Sequence, residues 1–182
     1  VGADQPEDYG LFFAWGETVG YGSDTSDGRS FDWASYKWCN GSYDTMTKYC
    51  PSRNFGTVDN KTVLDMEDDA ARANWGGQWV MPTYDEIVEL VDNTTSEWTT
   101  VNGVNGRKFT SNTNGNSIFL PAAGWRIGSS LGAQTQDGHY WTSTLYEGGP
   151  DDACDLDFYS EYVRTYDDYR DRGQSVRPVL RN

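Results

Sequence analysis

The sequence predicts an α+β domain with two helices, short antiparallel strands and long loops. Its 182 residues suit one domain. Two segments, both in the first half, carry helix signals, whereas after Asp92 short apolar or alternating runs are separated by Asn and Gly clusters. We therefore treat residues 1–182 as a single domain.

The front of the chain predicts one strand followed by a long loop. Tyr9–Glu17 is short, aromatic and bounded by glycine, which is typical of a buried strand. Residues 21–55 are rich in Gly, Ser and Asp and contain scattered Trp and Tyr. This composition predicts a loop region that aromatic side chains hold in place.

Two helices are predicted next. Leu64–Asn74 begins with acidic residues, continues with alanines and can end at Gly76, which favours a helix. Thr83 and Glu86 have the spacing of a capping box, so the second helix should run from about Tyr84 to Val91.

The rest of the chain predicts short strands, at 106–110, 117–121, 139–145, 153–159 and 175–180. Within the fourth of these, alternation should direct Leu156 and Phe158 inward. It should leave Asp155, Asp157 and Tyr159 side by side on the outer face.

Charge and motif content exclude several classes of function. The net charge is −14, and a nucleic-acid-binding protein needs a basic face. No run of about 18 apolar residues could span a membrane. His139 is the only histidine, and nucleophile-elbow, metalloprotease, phosphate-loop and dinucleotide motifs are lacking. We therefore expect no nucleic-acid partner, no membrane span, no enzyme activity and no cofactor.

The cysteines and acidic clusters allow two interpretations each. Cys39 and Cys50 could pair across a loop, or remain packed thiols, while Cys154 has the inward parity of a core residue. Residues 65–69 and 151–157 could supply oxygen ligands for calcium, or form a helix start and a solvated face. Neither cluster matches the calcium-loop pattern, so we predict no metal site.

The segment from Tyr146 to Arg172, here called the Tyr/Asp segment, contains five tyrosines and seven aspartates. Tyrosine offers a large, rigid contact surface with a polar tip, and aspartate adds hydrogen-bond acceptors. The segment therefore predicts a binding face for cationic or hydrogen-bond-donating groups. The alternative is an acidic surface that only keeps the protein soluble.

Four motifs carry a family resemblance: residues 79–90 (WVMPTYDEIVEL), 119–126 (FLPAAGWR), 140–145 (YWTSTL) and 173–179 (GQSVRPV). Together they resemble the variable proteins of diversity-generating retroelements from gut Bacteroidales. Those proteins have the C-type lectin fold and share its branch with formylglycine-generating enzymes. The resemblance covers about residues 9–179 and implies that fold here.

The resemblance also implies a diversified region at about 139–172. In that family a reverse transcriptase copies a template with errors at adenines, which turns AAY codons into the NNY set that encodes Tyr, Asp and Arg among others. Glu147 and Glu161 depart from the pattern, because glutamate codons end in a purine. The implied ligand-binding residues are His139, Tyr146, Asp151, Asp152, Asp155, Asp157, Tyr159, Tyr162, Tyr166, Asp167, Asp168, Tyr169, Asp171 and Arg172.

By this resemblance the protein would be a non-catalytic receptor or adhesin for an unknown protein or glycan ligand. It would lie at the cell surface or outside the cell, as a lipoprotein or on a pilus, or on a phage particle. The alternatives are an enzyme-related or glycan-active domain of the formylglycine-generating branch, or a structural pilus-tip domain. The sugar-binding motifs of calcium-dependent lectins are missing, and only Cys154 lies in the C-terminal half, where that enzyme branch needs a cysteine pair.

Overall fold

A computed structural model describes residues 1–181, and their architecture is mostly β, with 36% of residues in strands or isolated bridges and 10% in α- or 3-10 helices. The predicted α+β arrangement of the C-type lectin type is therefore wrong. The described chain has two short helices and twelve strands, and the strands form four separate sheets. The difference arises because five segments form strands where no strand was predicted, and the two longest of them, 94–101 and 163–169, are polar.

The helices are α1, Ala70–Trp75, and α2, Tyr84–Asp92. The strands in the first half are β1, Phe12–Phe13; β2, Trp79–Val80; β3, Thr94–Val101; β4, Val104–Ser111; and β5, Ser117–Pro121. The remaining strands are β6, Trp125–Ile127; β7, Ser130–Gly132; β8, Gly138–Leu145; β9, Asp152–Phe158; β10, Val163–Tyr169; β11, Gln174–Ser175; and β12, Val179–Leu180.

The largest sheet has the strand order β1-β11-β8-β9-β10. Strands β11 and β8 are parallel, and the other neighbours are antiparallel. Strands β3, β4 and β5 form an antiparallel meander, while β6 pairs with β7 and β12 pairs with β2. Strand β10 therefore lies at an edge of the main sheet.

The second helix confirms its predicted start. The Thr83 side chain accepts a hydrogen bond from the Glu86 amide, and the Glu86 carboxylate accepts one from the Thr83 amide. The first helix is shorter than predicted, because its N-cap is Asp69 rather than a residue near Leu64. The preceding acidic residues form a turn whose carboxylates bind lysines instead.

Most predicted strands are present. Residues 117–121 are β5, and the segments 106–110, 139–145 and 153–159 coincide with β4, β8 and β9 to within two residues at each end. Residues 175–180 instead contribute to two separate strands, β11 and β12, and Tyr9–Glu17 contains only the two-residue β1.

Three hydrophobic clusters form the core. Phe12 and Phe13 are adjacent and enter different clusters, since neighbouring strand residues point to opposite faces. A third cluster packs Ile87 of α2 against Leu156 and Phe158, which point inward as predicted.

Residues 21–55 are a loop region, as predicted, with a single 3-10 turn at 25–27 and isolated bridges. Aromatic side chains hold it in place: Tyr36 Oη donates to the Trp15 carbonyl at 2.7 Å, and Trp38 Nε1 donates to the Gly16 carbonyl at 2.8 Å. Cys39 and Cys50, for which a disulfide was one of two interpretations, are free thiols, as is Cys154.

Candidate ligand-binding face

The Tyr/Asp segment folds largely into the antiparallel pair β9 and β10, with β8 on the inner side of β9. Asp155 pairs with Tyr166, and Asp157 pairs with Arg164. On β8, His139 is opposite Asp157. Because antiparallel partners share a face, this pairing collects side chains from three strands on one side of the sheet.

Four tyrosines of the segment are exposed, and we call them the tyrosine rim. Their exposed fractions are between 38% and 50%, for Tyr146, Tyr162, Tyr166 and Tyr169. Tyr166 and Tyr169 lie on the edge strand β10, and Tyr162 lies in the turn before it. These side chains are therefore available for contact with a partner.

A second group of predicted site residues is half-buried. It consists of Asp151, Asp152, Tyr159, Asp167, Asp168 and Arg172. Arg172 pairs with Asp168 at 3.0 Å, and burial raises the pKa of Asp168. Burial also raises the pKa of Asp152, to about 7, with nearby Asp151 acting in the same direction.

The prediction for Asp155 and Asp157 is half right. Alternation does place them on the face opposite Leu156, but each is only 1% exposed. Side chains of β10 and of the turn before it, among them Tyr159 and Arg164, help to close over them. The expected outer face is therefore the floor of a cleft.

His139 lies between these two carboxylates. Its Nδ1 is 3.6 Å from Asp155 Oδ2, and its Nε2 is 3.9 Å from Asp157 Oδ1. Burial opposes protonation of the ring, but the Asp155 and Asp157 carboxylates outweigh it and raise the pKa of His139. On a carboxyl group burial has the opposite effect, and it raises the pKa of Asp155.

We call this depression the acid cleft, and its volume is about 200 Å³. Its lining combines carboxylates, aromatic rings and two arginines: Trp125, His139, Asp155, Asp157, Tyr159, Arg164, Tyr166, Asp167, Asp168 and Arg172. Eight of these ten residues, including His139, belong to the predicted site.

 The other two, Trp125 and Arg164, lie outside the predicted set.

The structure does not bring the whole predicted set together. Asp171 follows β10 and is 7% exposed, and burial raises its pKa to about 7. Tyr146 lies in a separate groove of about 580 Å³ that also contains Tyr84 and Cys154. Tyr166 and Asp167 line both this groove and the acid cleft, so β10 separates the two depressions.

Two residues that line the cleft, Arg164 and Trp125, are missing from the sequence prediction, as is Gln174, which contacts the cleft residue Asp168. Arg164 donates from Nε and Nη2 to Asp157 Oδ2, at 2.9 and 2.7 Å. Gln174 is fully buried and donates to Asp168 at 3.2 Å, while Trp125 forms part of the wall. Period-two alternation along 163–169 could have identified Arg164, but the other two come from distant strands.

The first acidic cluster is ion-paired. Asp65, Glu67 and Asp68 are the described group that lies close enough together to hold a metal ion. However, the Lys48 ammonium group already lies 2.7, 3.4 and 2.6 Å from their carboxylates. This arrangement favours the interpretation that needs no calcium.

Comparison with known proteins gives one family. A family model described as "Domain of unknown function (DUF8237)" matches residues 79–179, which is more than half of the chain. The chain belongs to the DUF8237 family. No curated protein matches the chain. No solved structure matches it either.

The part matched by the DUF8237 family runs from β2 to the start of β12. It therefore includes the acid cleft and the tyrosine rim in full. The loop at 21–55 and α1 precede it. Within residues 1–181, no helix is both long and apolar enough to cross a membrane.

Proposed function

We propose that this protein is a non-catalytic ligand-binding protein of the receptor or adhesin type, and that its binding surface is the tyrosine rim with the adjoining acid cleft. We further propose that it acts at the cell surface or outside the cell. The ligand would be a protein or a glycan.

The distribution of exposed tyrosines is the observation that carries this proposal. Five of the twelve tyrosines are exposed in the described chain, and four of them form the tyrosine rim. The fifth, Tyr43, packs against Phe55 in the loop region. The exposed tyrosines are thus concentrated in one segment of the chain, and exposed aromatic groups are typical of interaction sites.

We also propose that these positions vary between copies of the gene, and the exposure of the rim at and beside an edge strand supports this. Exposed substitutions usually change stability by no more than about 0.5 kcal/mol. Tyr162, Tyr166 and Tyr169 could therefore be exchanged without loss of the core. The core residues Leu156 and Phe158 on β9 would be kept.

Deep sequencing of the 3′ end of the gene, across many cells or strains of its source, tests the diversification. We expect amino-acid changes at the Tyr and Asp positions of the Tyr/Asp segment, encoded by NNY codons and densest at the tyrosine rim. Scattered and mostly silent variation would contradict this part of the proposal.

Binding is tested on protein and glycan arrays with the wild type and single alanine variants. We expect Tyr162→Ala to lose array ligands that the wild type binds, because a central aromatic contact often carries much of the binding energy. Its melting temperature should stay close to that of the wild type, since Tyr162 is exposed. The matched control is Tyr43→Ala, which should retain the ligands. Equal binding by Tyr162→Ala and the wild type would contradict the proposal.

A further inference from the structure

The floor of the acid cleft holds buried polar atoms that have no hydrogen-bond partner. Asp155 is 1% exposed, and neither of its carboxylate oxygens accepts a hydrogen bond. Asp157 Oδ1 is unpartnered in the same way. Buried polar atoms are normally satisfied, so this group of acceptors calls for an explanation.

The cleft already accommodates an organic cation beside Asp157, and this cation belongs to the protein itself. The Arg164 guanidinium binds Asp157 Oδ2 and lies 3.9 Å from the centre of the Tyr166 ring and 5.0 Å from that of Tyr162. A planar cation therefore fits between a carboxylate and aromatic rings at this site. It leaves the other Asp157 oxygen and both Asp155 oxygens free.

The remaining space suits one more cationic head group. A cavity of about 150 Å³ can hold benzene, and the cleft measures about 200 Å³. Trp125, Tyr159 and Tyr166 contribute aromatic side chains to its wall. Aromatic faces attract cations, and tryptophan does so most strongly.

A metal ion fits these residues less well. The His139 ring lies between Asp155 and Asp157, with separations of 3.6 and 3.9 Å on its two sides. The carboxylates therefore do not converge on one point, as ligands of a metal ion do. In the part of the chain that the structure describes, the group that does converge is at Asp65, Glu67 and Asp68.

We propose that the acid cleft binds the cationic head group of a ligand, an alkylammonium or guanidinium group of the kind that ends a lysine or arginine side chain. The free oxygens of Asp155 and Asp157 accept its hydrogen bonds, and the rings of Trp125, Tyr159 and Tyr166 surround it. This inference rests on the proposed function, because it assigns a chemical class to part of that ligand.

The chain contains a natural reporter for this site. His139 is the only histidine, so its imidazole gives a single set of NMR signals. Because the ring lies between Asp155 and Asp157, a cation bound to those carboxylates changes its surroundings directly.

The experiment is an NMR titration of the His139 imidazole with N-acetyl-arginine methylamide and with N-acetyl-lysine methylamide, at constant pH and ionic strength. We expect at least one of these probes to shift the signals in a saturable way. The neutral analogue N-acetyl-norleucine methylamide should produce no saturable shift. Asp155→Asn should weaken binding of the cationic probe at least tenfold.

The matched control variant is Asp92→Asn, which removes one negative charge at an exposed position outside the cleft and should bind the probe like the wild type. A thermal melt first establishes that each variant is folded. If Asp155→Asn fails to fold, Tyr159→Leu replaces it, because it removes an aromatic face while keeping apolar bulk. We expect Tyr159→Leu to weaken binding about threefold.

Three outcomes would overturn the inference. The first is that neither cationic probe gives a saturable shift up to its solubility limit. The second is that the norleucine analogue matches the cationic probes. The third is that calcium chloride gives the saturable shift and the cationic probes do not, which would make the cleft a metal site.

These outcomes can be told apart from failure of the proposed function, since the small probes report on the cleft alone. If the probes fail to bind while Tyr162→Ala still loses array ligands, only the cation inference is wrong. If the probes bind while Tyr162→Ala keeps every array ligand, the binding role of the tyrosine rim is wrong and the cleft inference stands.

Discussion

Arg170 shows what a single buried side chain does for this binding face. It has no exposed surface, and it donates to the backbone carbonyls of Lys48, Tyr49 and Pro150 and to the Tyr36 hydroxyl. It thereby fastens the end of β10 to the long loop. Tyr169 and Asp171 on either side of it are predicted to vary, whereas Arg170 is structural.

Arg170→Leu should destabilise the protein by about 3 kcal/mol or more, because it leaves several buried carbonyl groups without a donor. Chemical denaturation measures the change in the free energy of unfolding. The control Arg53→Leu removes a guanidinium from an exposed loop position and should change stability by no more than about 0.5 kcal/mol. Similar stabilities of the two variants would show that the buried hydrogen bonds of Arg170 contribute little.

Local alternation was sufficient to predict which face of β9 each residue occupies. Leu156 and Phe158 are fully buried in the core, and Asp155 and Asp157 point the other way. Alternation could not predict that the aspartates are buried as well. Their cover includes Arg164, whose position depends on the pairing of β9 with β10, and strand pairing is a property of the fold rather than of one segment.

At the scale of elements, helix α2 was predictable because its signals are local. The capping box satisfies amides at the first turn, and Ile87 faces the core. Helix α1 was predicted too long, because acids near a helix start and acids that bind lysines have the same sequence pattern. Lys48 is distant in sequence from Asp65 and Asp68, so the ion pairs became visible only in the structure.

The capping box gives a test at this scale. Thr83→Ala removes the side-chain acceptor for the Glu86 amide and should cost about 1 kcal/mol of stability. Thr57→Ala, at an exposed loop position, is the control and should leave stability nearly unchanged. Urea denaturation followed by far-UV circular dichroism provides both values. A loss no larger than that of the control would mean that the cap does not stabilise α2 in this protein.

Strand β10 was missed because its sequence, rich in Tyr and Asp, has few of the apolar residues that mark a strand. It pairs with β9 along its whole length and has no strand paired on its other side. Charged side chains on an edge strand discourage pairing with other chains. Three of its seven residues are charged, including Asp167 and Asp168, and this charge protects an edge that also presents Tyr166.

At the scale of the whole molecule, the sequence predicted β8 and β9 of the candidate site, but neither β10 nor the sheets that join these strands. The error in fold class has a physical origin: strands β3 and β10 are polar because much of their surface faces water. A pattern method counts such segments as loops. Pairings such as β1 with β11 join the two ends of the chain, and no local signal specifies them.

The buried carboxyl groups also predict how the stability of the folded protein depends on pH. Burial raises the pKa of Asp152 and of Asp171 to about 7 in the folded state. An unfolded aspartate has a pKa of about 3.9, so the folded state binds more protons between these values. Stability should therefore fall as the pH rises across this window. The raised pKa of His139 acts in the same direction. The stability that its protonated ring contributes is lost as the pH rises through the pKa of His139 in the folded state.

We expect the melting temperature at about pH 5.5 to exceed that at about pH 8, at constant ionic strength. The Val1 amino group, whose pKa burial lowers to about 6, opposes this trend, but it is one group against several. Calorimetry at the two pH values measures the difference. The double variant Asp152→Asn, Asp171→Asn should show a smaller difference than the wild type, because amides do not ionise. A wild-type melting temperature that rises towards pH 8 would show that these carboxyl groups ionise near their ordinary pKa in the folded protein.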